Sequence, residues 1–243
     1  MARIFITGSA DGLGRLAAEE LLAAGHDVVV HVRGKQRLAA VQGLLARGAT
    51  AVVGDLADPG QSRGVADQVN VLGAMDAVIH NAGVYTEPTV LPVNVVAPYV
   101  LTARIQRPSR LIYLSSGLHR GGHQKLDGMD WTGRRATGSY SDSKLFVTAL
   151  AAAVAHRWPD VLSNSVDPGW VPTKMGGPGA PDDLRLGHLT QEWLATSDAA
   201  EARTSGGYWH HQRREDPHPA ARDRAFQARL LEELERATGV ALA

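Results

Sequence analysis

Cysteine is absent from the 243 residues of this chain. Its absence excludes disulfide scaffolds, cysteine-ligated zinc, iron–sulfur clusters and thiol catalysis. The chain also lacks an excess of either charge, because 25 lysines and arginines balance 25 aspartates and glutamates. A net charge of zero gives no electrostatic support for nucleic acid or an anionic membrane as the main partner, so we expect neither.

Long apolar runs are missing as well. No run approaches the roughly 20 residues needed to span a bilayer. The first residues enter a strand-like segment, Arg3 to Thr7, without the basic and apolar regions of a secretory signal. We therefore expect a cytoplasmic protein. The composition is that of an ordinary globular protein. No repeat, linker or composition break marks a boundary, so residues 1–243 are predicted to form a single domain.

Two periodicities alternate along the chain. Short β-branched runs such as Asp27 to Val32 and Asp76 to His80 have the continuous apolar character of parallel strands buried on both faces. Helical stretches such as Leu13 to Ala24 and Ser139 to Trp158 separate the strands. Strands that alternate with helices form right-handed βαβ units. The sequence therefore predicts an α/β, single-domain Rossmann fold with a doubly wound parallel sheet of about seven strands.

A glycine-rich loop follows the first strand. Gly8, Gly12 and Gly14 stand between that strand and a helix. Glycines there permit a tight turn, close approach of backbone N–H groups to a pyrophosphate, and close packing of helix on sheet. The helix N-terminus would direct its unpaired N–H groups at the phosphates. The alternative is a glycine-rich turn without a ligand, but its place between strand and helix favours a dinucleotide.

Further motifs follow in a fixed order. The first loop reads TGSADGLG, GDL follows the third strand, HNAG follows the fourth, and PG with a threonine four positions later follows the sixth. These motifs resemble those of the short-chain dehydrogenase/reductase family over nearly the whole chain. The resemblance implies a nicotinamide dinucleotide cofactor. The candidate cofactor ligands are Gly8, Asp11, Gly12, Leu13, Gly14, Arg33, Asp55, Leu56, Asn81, Ala82, Gly83, Tyr140, Lys144, Pro168, Gly169, Val171 and Thr173.

Tyr140 and Lys144 are the strongest local signal for catalysis. Being four positions apart, they lie on one face of the predicted helix, so the ammonium can sit near the phenol. A nearby cation favours phenolate and lowers the phenol pKa from about 10 towards the working range. Tyr140 could then exchange a proton with a carbonyl or alcohol oxygen. Alone, the pair is more typical of an amphipathic helix surface, but after a dinucleotide loop it indicates catalysis.

The resemblance adds two polar groups and shows two departures. Ser116 corresponds to the family's serine that holds the substrate oxygen, and Asn94 to the asparagine that anchors a water beside the lysine. A capping role is the alternative for each. Ser116 and Tyr140 are 24 positions apart, whereas only 13 separate Asn81 from Asn94. The longer segment resembles the retinol dehydrogenase and WW-domain oxidoreductase branch. Its histidines and aspartates match no metal-ligand spacing, so no metal is predicted.

The end of the second strand predicts which cofactor is used. NAD-preferring relatives carry an acidic residue there, which accepts hydrogen bonds from the ribose. This chain has Val32 followed by Arg33. Because a guanidinium pairs with phosphate through two parallel bonds, Arg33 is the expected partner of a 2′-phosphate, and NADP (NADPH) is the expected cofactor. Lys35 and Arg37 are either further partners or solvated helix charges.

Two apolar regions predict the substrate and the assembly. Trp131 lies in the long segment before Tyr140. Trp170 and Met175 lie in residues 170–196, where family members have a mobile lid over the substrate. Their bulk predicts a mainly apolar ketone or alcohol as the small-molecule substrate. The alanine-rich helix from Ser139 to Trp158 predicts a homodimer through helix pairing, as in the family. The alternative is that these alanines pack against the chain's own sheet.

These features together predict an NADP-dependent oxidoreductase that transfers hydride between a nicotinamide and a carbonyl or secondary alcohol carbon. One alternative is a non-catalytic NADP-sensing protein, which would usually lack the tyrosine or the lysine. The other is an epimerase or dehydratase of related fold, which would usually have a larger C-terminal domain than this chain can hold.

Overall fold

The fold was analysed on a computed structural model, which describes residues 1–86 and 88–242. Within these residues eight strands form one sheet. The strands are β1 (Arg3–Ile6), β2 (Asp27–Val32), β3 (Thr50–Val53), β4 (Ala77–His80), β5 (Arg110–Leu114), β6 (Leu162–Asp167), β7 (Tyr208–His210) and β8 (Arg213–Glu215). Their order is β3-β2-β1-β4-β5-β6-β7-β8, with β1 to β7 parallel and β8 antiparallel to β7. The doubly wound parallel sheet is confirmed, and β8 adds an edge strand to it.

Helices cover both faces of this sheet. They are α1 (Gly12–Ala23), α2 (Gln42–Leu45), α3 (Pro59–Val71), α4 (Ala97–Arg104), α5 (Tyr140–Arg157), α6 (Leu184–Thr196), α7 (Pro219–Arg222) and α8 (Arg224–Thr238). Successive side chains of a strand point to opposite faces. Ile4 and Ile6 therefore pack with α1, α2 and α6, whereas Phe5 packs with α3, α4, α5 and α8. None of the helices described has the length and apolarity needed to cross a membrane.

Local capping fixes where α5 begins. The Ser139 hydroxyl accepts a hydrogen bond from the Asp142 N–H at 3.0 Å, and the Asp142 carboxylate accepts one from the Ser139 N–H at 2.9 Å. This reciprocal capping box satisfies two N–H groups that would otherwise lack partners. The helix predicted from Ser139 to Trp158 is confirmed to within a residue at each end, and Tyr140 lies in its first turn.

The alanines of α5 pack inside the chain. Ala149, Ala151 and Ala153 are buried, and both α7 and α8 lie against α5. The contacts of these three side chains are therefore intramolecular, whereas Ala152 and Ala155 are partly exposed. The alanine stripe does not by itself support helix pairing between two copies.

Candidate active site

A cavity of about 610 Å³ opens at the carboxyl edge of the sheet. This is the edge where open α/β sheets bind their ligands. Most of the predicted cofactor ligands lie in its wall, together with Tyr140 and Lys144. The predicted site residues that lie outside the wall are Gly14, Asn94, Ser116, Gly169 and Val171.

The glycine-rich loop lies in this wall with its backbone exposed to the cavity. Gly8 and Gly12 have φ values of +67° and +51°, a conformation that residues with a Cβ rarely adopt. A Cβ on Gly8 would also lie 2.9 Å from the Cα of Ala82. The loop and the segment after β4 are therefore in direct backbone contact, and a hydrogen bond of 2.9 Å from the Ala82 N–H to the Thr7 hydroxyl joins them.

Asn81 and Gly14 hold this loop in place. The Asn81 amide donates to the carbonyls of Thr7 and Gly8 at 2.9 and 3.3 Å. A Cβ on Gly14 would lie only 2.3 Å from that amide nitrogen and 2.8 Å from the Gly8 carbonyl oxygen. Gly14 is thus required for packing, and its predicted part in cofactor binding is indirect.

Positively charged side chains lie at the end of the cavity next to β2. Arg33 is exposed, lines the wall and takes part in none of the ion pairs formed by the described residues. Arg37 also lines the wall, 3.9 Å from the Asp11 carboxylate, whereas Lys35 does not. Lys174, which the sequence analysis missed, lies 2.5 Å from the same carboxylate and lowers the pKa of Asp11 through that hydrogen bond.

His31 is a second residue that the sequence analysis missed. Its Nδ1 accepts a hydrogen bond from the Gly8 N–H at 3.0 Å, and its Nε2 lies 2.7 Å from the Gly54 carbonyl oxygen, to which it donates. Burial lowers the pKa of His31 and so keeps the ring neutral. The imidazole joins the loops after β1 and β3. The sequence feature that could have identified His31 is that it is the one polar residue inside the apolar VVVHV run of β2.

Lys144 lies one turn after Tyr140 on α5, as predicted. Its Nζ donates to the Leu114 carbonyl at 2.8 Å and lies 5.5 Å from the centre of the Tyr140 ring. Burial lowers the pKa of Lys144 to about 8, and the Asp167 carboxylate opposes that shift. The lysine therefore remains mostly protonated at neutral pH.

The pKa of Tyr140 departs from the sequence prediction. Burial raises it to about 12, and a hydrogen bond with the Ser116 side chain opposes the increase. The expected lowering by Lys144 is wrong for this state of the protein. The physical reason is that the phenol is desolvated, while the ammonium donates to the end of β5 and not to the phenol oxygen.

The two serines after β5 are in different environments. Ser115 is buried, and its hydroxyl lies 2.6 Å from that of Thr148 and 3.3 Å from the Lys144 carbonyl. Ser116 is half-buried and interacts with Tyr140. Its hydroxyl also accepts from the Leu118 N–H at 3.2 Å, so it caps the short 3₁₀ turn Gly117–Gly121 as well. The arrangement places Ser116, and not Ser115, beside the phenol.

Asn94 is buried in a π-helical turn, Pro92–Val96, that precedes α4. Its amide bonds both to the Val84 backbone, at 2.9 Å each, and to the Ser143 hydroxyl at 3.0 Å. A Cβ on Gly83 would lie 3.4 Å from Asn94 Oδ1 and 3.5 Å from Lys144 Nζ. Despite the short spacing after Asn81, the wider turn brings Asn94 beside Gly83 and Lys144.

The segments predicted to surround the substrate are only partly at the cavity. Trp131 is buried in the core against Phe146, with ring centres 5.9 Å apart. Of residues 170–196, the stretch from Thr173 to Met175 lines the cavity, whereas α6 packs against α1 and the sheet. Of the segment predicted to be a lid, only the loop before α6 therefore lines the cavity. In the described residues no group of three or more histidine, aspartate or glutamate side chains could hold a metal ion.

Exposed apolar side chains lie beside Tyr140. The Tyr85 ring is 53% exposed, and its centre lies 4.7 Å from that of Tyr140. Met175 is also exposed, and its sulfur lies 4.0 Å from the Tyr140 hydroxyl. Leu118, two residues after Ser116, and Trp170 are exposed as well. Exposed apolar groups around a cavity are typical of a ligand-binding surface.

Comparisons with known proteins point to one family. The model of the short chain dehydrogenase family matches residues 2–107. An uncharacterized oxidoreductase of Emericella nidulans is 36% identical over a match of 256 residues. The match covers 99% of this chain and 98% of the relative. A Streptomyces protein provisionally named a daunorubicin C-13 ketoreductase is 32% identical over 268 residues, with coverage of 97% and 92%.

A solved structure gives the same architecture. It is that of a blue fluorescent protein from a metagenomic library in complex with NADPH, with a TM-score of 0.71 and 23% identity. The match covers 86% of this chain and 95% of the other. At this identity the likeness concerns the fold alone.

A doubly wound sheet, a glycine-rich loop after β1 and a Tyr-x-x-x-Lys helix beside it define the class of Rossmann-fold oxidoreductases. The relatives above 30% identity extend over almost the whole chain. The chain therefore belongs to the short-chain dehydrogenase/reductase family and is an oxidoreductase.

Proposed function

We propose that this oxidoreductase uses NADP(H) to reduce the carbonyl group of a bulky, mainly apolar substrate, or to oxidise the corresponding secondary alcohol. The observation that carries the proposal is that one cavity holds both the glycine-rich loop and Tyr140 with Lys144. When bound, the dinucleotide supplies or accepts the hydride.

The residues around the cavity fit such a cofactor. Gly8 and Gly12 expose backbone next to the N-terminus of α1, which favours a pyrophosphate. Arg33 and Arg37 offer cations for a 2′-phosphate at the end of β2. Two solved neighbours, described as complexes with NADPH and with NADP, also support this choice of cofactor.

Tyr140, Ser116 and Lys144 would act on the substrate oxygen in different ways. With its pKa raised to about 12, the Tyr140 phenol is protonated at neutral pH and can donate a proton to a carbonyl oxygen. The Ser116 hydroxyl, which interacts with the phenol, would donate a hydrogen bond to the same oxygen. Lys144 would bind the cofactor ribose and stabilise the phenolate that proton transfer leaves behind, and Asn94 would anchor a water beside it.

The apolar substrate is inferred from the side chains near Tyr140. Tyr85 and Met175, which lie against Tyr140, expose large apolar surfaces, and the exposed Leu118 and Trp170 follow Ser116 and Gly169 closely in the chain. A polycyclic or otherwise bulky ketone would cover such surfaces, since apolar burial contributes about 25 cal/mol per Å². The provisional name of the Streptomyces relative, daunorubicin C-13 ketoreductase, is that of a ketone-reducing enzyme.

A panel of ketones, aldehydes and alcohols tests the proposal. The absorbance of the reduced nicotinamide would be followed with NADPH or NADP, and NADPH binding would be measured separately by fluorescence. We expect turnover with bulky apolar ketones and little turnover with sugar phosphates or acidic substrates. Binding without turnover of any compound would favour the NADP-sensing alternative, and no binding would contradict the proposal altogether.

We further propose a homodimer, which rests on the family resemblance, and a cytoplasmic location. A dimer through α5 would have to accommodate α7 and α8, which lie against that helix. Light scattering at micromolar concentration tests it. A mass of about 52 kDa, twice the 25.9 kDa of one chain, supports the dimer, and a mass near 26 kDa contradicts it.

A further inference from the structure

Asp167 is a carboxylate beside the proposed catalytic groups that no motif includes. It is the last residue of β6, and its side chain is only 13% exposed. Leu114, whose carbonyl accepts from Lys144, pairs in the sheet with Val166, the residue before Asp167. The carboxylate therefore ends its strand at the same edge as the lysine contact.

A backbone hydrogen bond orients the carboxylate, and Gly117 leaves room for it. Its Oδ1 accepts a hydrogen bond from the Gly169 N–H at 3.0 Å, within the turn after β6. Its Oδ2 lies 3.1 Å from the place where a Cβ on Gly117 would be. Gly117 directly follows Ser116, so the carboxylate lies against the end of β5 where the proposed substrate oxygen would bind.

Titratable and charged groups face Asp167 from three elements. They are His119 in the 3₁₀ turn, Tyr140 and Lys144 on α5, and Tyr208 and His210 on β7. The His210 Nδ1 lies 3.6 Å from Oδ2. Burial raises the pKa of Tyr208, and the Asp167 charge raises it further, so that phenol is neutral.

The imidazole in the 3₁₀ turn does not neutralise the carboxylate. Burial lowers the pKa of His119, and hydrogen bonds to the Ser116 carbonyl and from the His218 N–H fix its neutral form. The Arg120 guanidinium pairs with Glu215 at 3.1 Å. Neither side chain of this turn forms an ion pair with Asp167 in the described residues.

We infer that Asp167 is a positioning residue of the proposed ketone reduction, whose carboxylate keeps protons on both Lys144 and Tyr140. This inference rests on the proposed function. Ketone reduction needs a phenol that still carries its proton and a lysine that is still an ammonium. A fixed negative charge facing both groups favours these forms over phenolate and free amine.

The directions of the pKa shifts agree with this arrangement. The Asp167 carboxylate raises the pKa of Lys144 against the larger effect of burial, and it raises the pKa of Tyr140 together with burial. Removing the charge would lower both values. Both groups would then lose their protons at a lower pH.

The variant Asp167→Asn tests the inference, with Asp182→Asn as the matched control. The Asp182 carboxylate accepts from the Trp170 N–H at 2.6 Å, so it holds the same turn after β6. It is not among the groups that shift the pKa of Lys144 or Tyr140. The control therefore disturbs the turn and removes a charge without removing the proposed effect.

Two pH profiles would be measured for each protein: kcat/KM for NADPH-dependent reduction of a ketone, and the dissociation constant of NADPH without substrate. We expect the alkaline limb of both profiles to move to lower pH by about one unit in Asp167→Asn. In Asp182→Asn the limbs should not move, even if rates fall.

If the alkaline limbs of both pH profiles stay in place in Asp167→Asn, whatever its rate, the inference is overturned. If the limbs move equally in Asp167→Asn and Asp182→Asn, the effect comes from the turn after β6, and the inference is overturned as well. The binding profile separates this inference from the proposed function. If NADPH binds but no ketone is reduced, the proposed function fails, while the alkaline limb of the NADPH-binding profile still tests the effect of Asp167 on Lys144. If NADPH does not bind, both fail.

Discussion

At the scale of single residues, the charges around the adenosine end of the cavity decide which dinucleotide fits. Arg33 faces this end without an ion-pair partner among the described residues, and Val32 before it is buried. The structure also places Arg37 in the wall and Lys35 outside it. Of the two cations that the sequence left open, Arg37 is thus the one positioned to assist Arg33.

Replacing Val32 by Asp and Arg33 by Ala should shift the cofactor preference from NADPH towards NADH. The change removes a charge-assisted pair, worth about 1.5–3 kcal/mol, and adds a carboxylate that repels a phosphate. We expect the ratio of kcat/KM values for the two cofactors to change by about 10- to 100-fold or more. Lys35→Ala is the matched control and should leave the ratio unchanged. An unchanged ratio in the double variant would show that the 2′-phosphate is not read at Arg33.

Residues outside the motifs are those that sequence analysis missed. His31 and Lys174 contact residues 23 and 163 positions away in the chain, and Asp167 pairs with a residue of the neighbouring strand. No local pattern specifies such pairings. The motif residues, in contrast, are specified by spacing between a strand and a helix, so most of them could be assigned to the cavity from the sequence.

At the scale of elements, the strands and the start of α5 follow from local sequence. Apolar β-branched runs and the Ser139–Asp142 capping box act within a few residues, and this is why they were predictable. The position of α6 was not predictable from local sequence, because α6 packs on α1 and the sheet through contacts between residues that are distant in the chain. The core position of Trp131 was missed for the same reason.

The contact between α1 and the loop after β4 gives a prediction at this scale. In Gly14→Ala the new methyl group would lie 2.3 Å from the Asn81 amide and 2.8 Å from the Gly8 carbonyl. We expect a loss of about 1–3 kcal/mol in unfolding free energy, as for other overpacked sites. We also expect NADPH binding to weaken on the order of tenfold or more, because the loop must shift.

Gly64→Ala is the control for this variant. Gly64 lies inside α3, has no atom within 4 Å of its added Cβ, and has no positive φ. Alanine there should stabilise the protein by up to about 1 kcal/mol. Both variants would be compared by chemical denaturation and by titration with NADPH. A Gly14→Ala protein with normal stability and normal affinity would contradict the packing role.

At the scale of the whole molecule, a buried histidine makes stability depend on pH. His80 is fully buried at the end of β4, stacks on Tyr113 and bonds to the Thr102 hydroxyl at 3.1 Å. Burial lowers its pKa to about 3. Because the unfolded chain takes up this proton near pH 6.5 and the folded chain does not, stability is present above pH 6.5 and is lost as the pH falls.

We expect His80 to reduce the free energy of unfolding by about 2 kcal/mol between pH 7 and pH 5. Urea denaturation of the wild type and of His80→Asn, at both pH values, would measure this term. The substitution replaces the imidazole by an amide, which cannot take up the proton. Between pH 7 and pH 5, the free energy of unfolding should fall by about 2 kcal/mol less in the variant than in the wild type. An identical pH dependence in both proteins would contradict the account.

The central claim is that Tyr140 transfers a proton in a nicotinamide-dependent reaction, and Tyr140→Phe tests it most directly. The measurement is kcat for ketone reduction alongside the NADPH dissociation constant, with Tyr85→Phe as control, since it removes the same hydroxyl from the ring in contact with Tyr140. We predict that kcat falls about 100-fold or more in Tyr140→Phe while NADPH binding is nearly unchanged. Tyr85→Phe should keep most of its activity. Substantial activity in Tyr140→Phe would contradict the account.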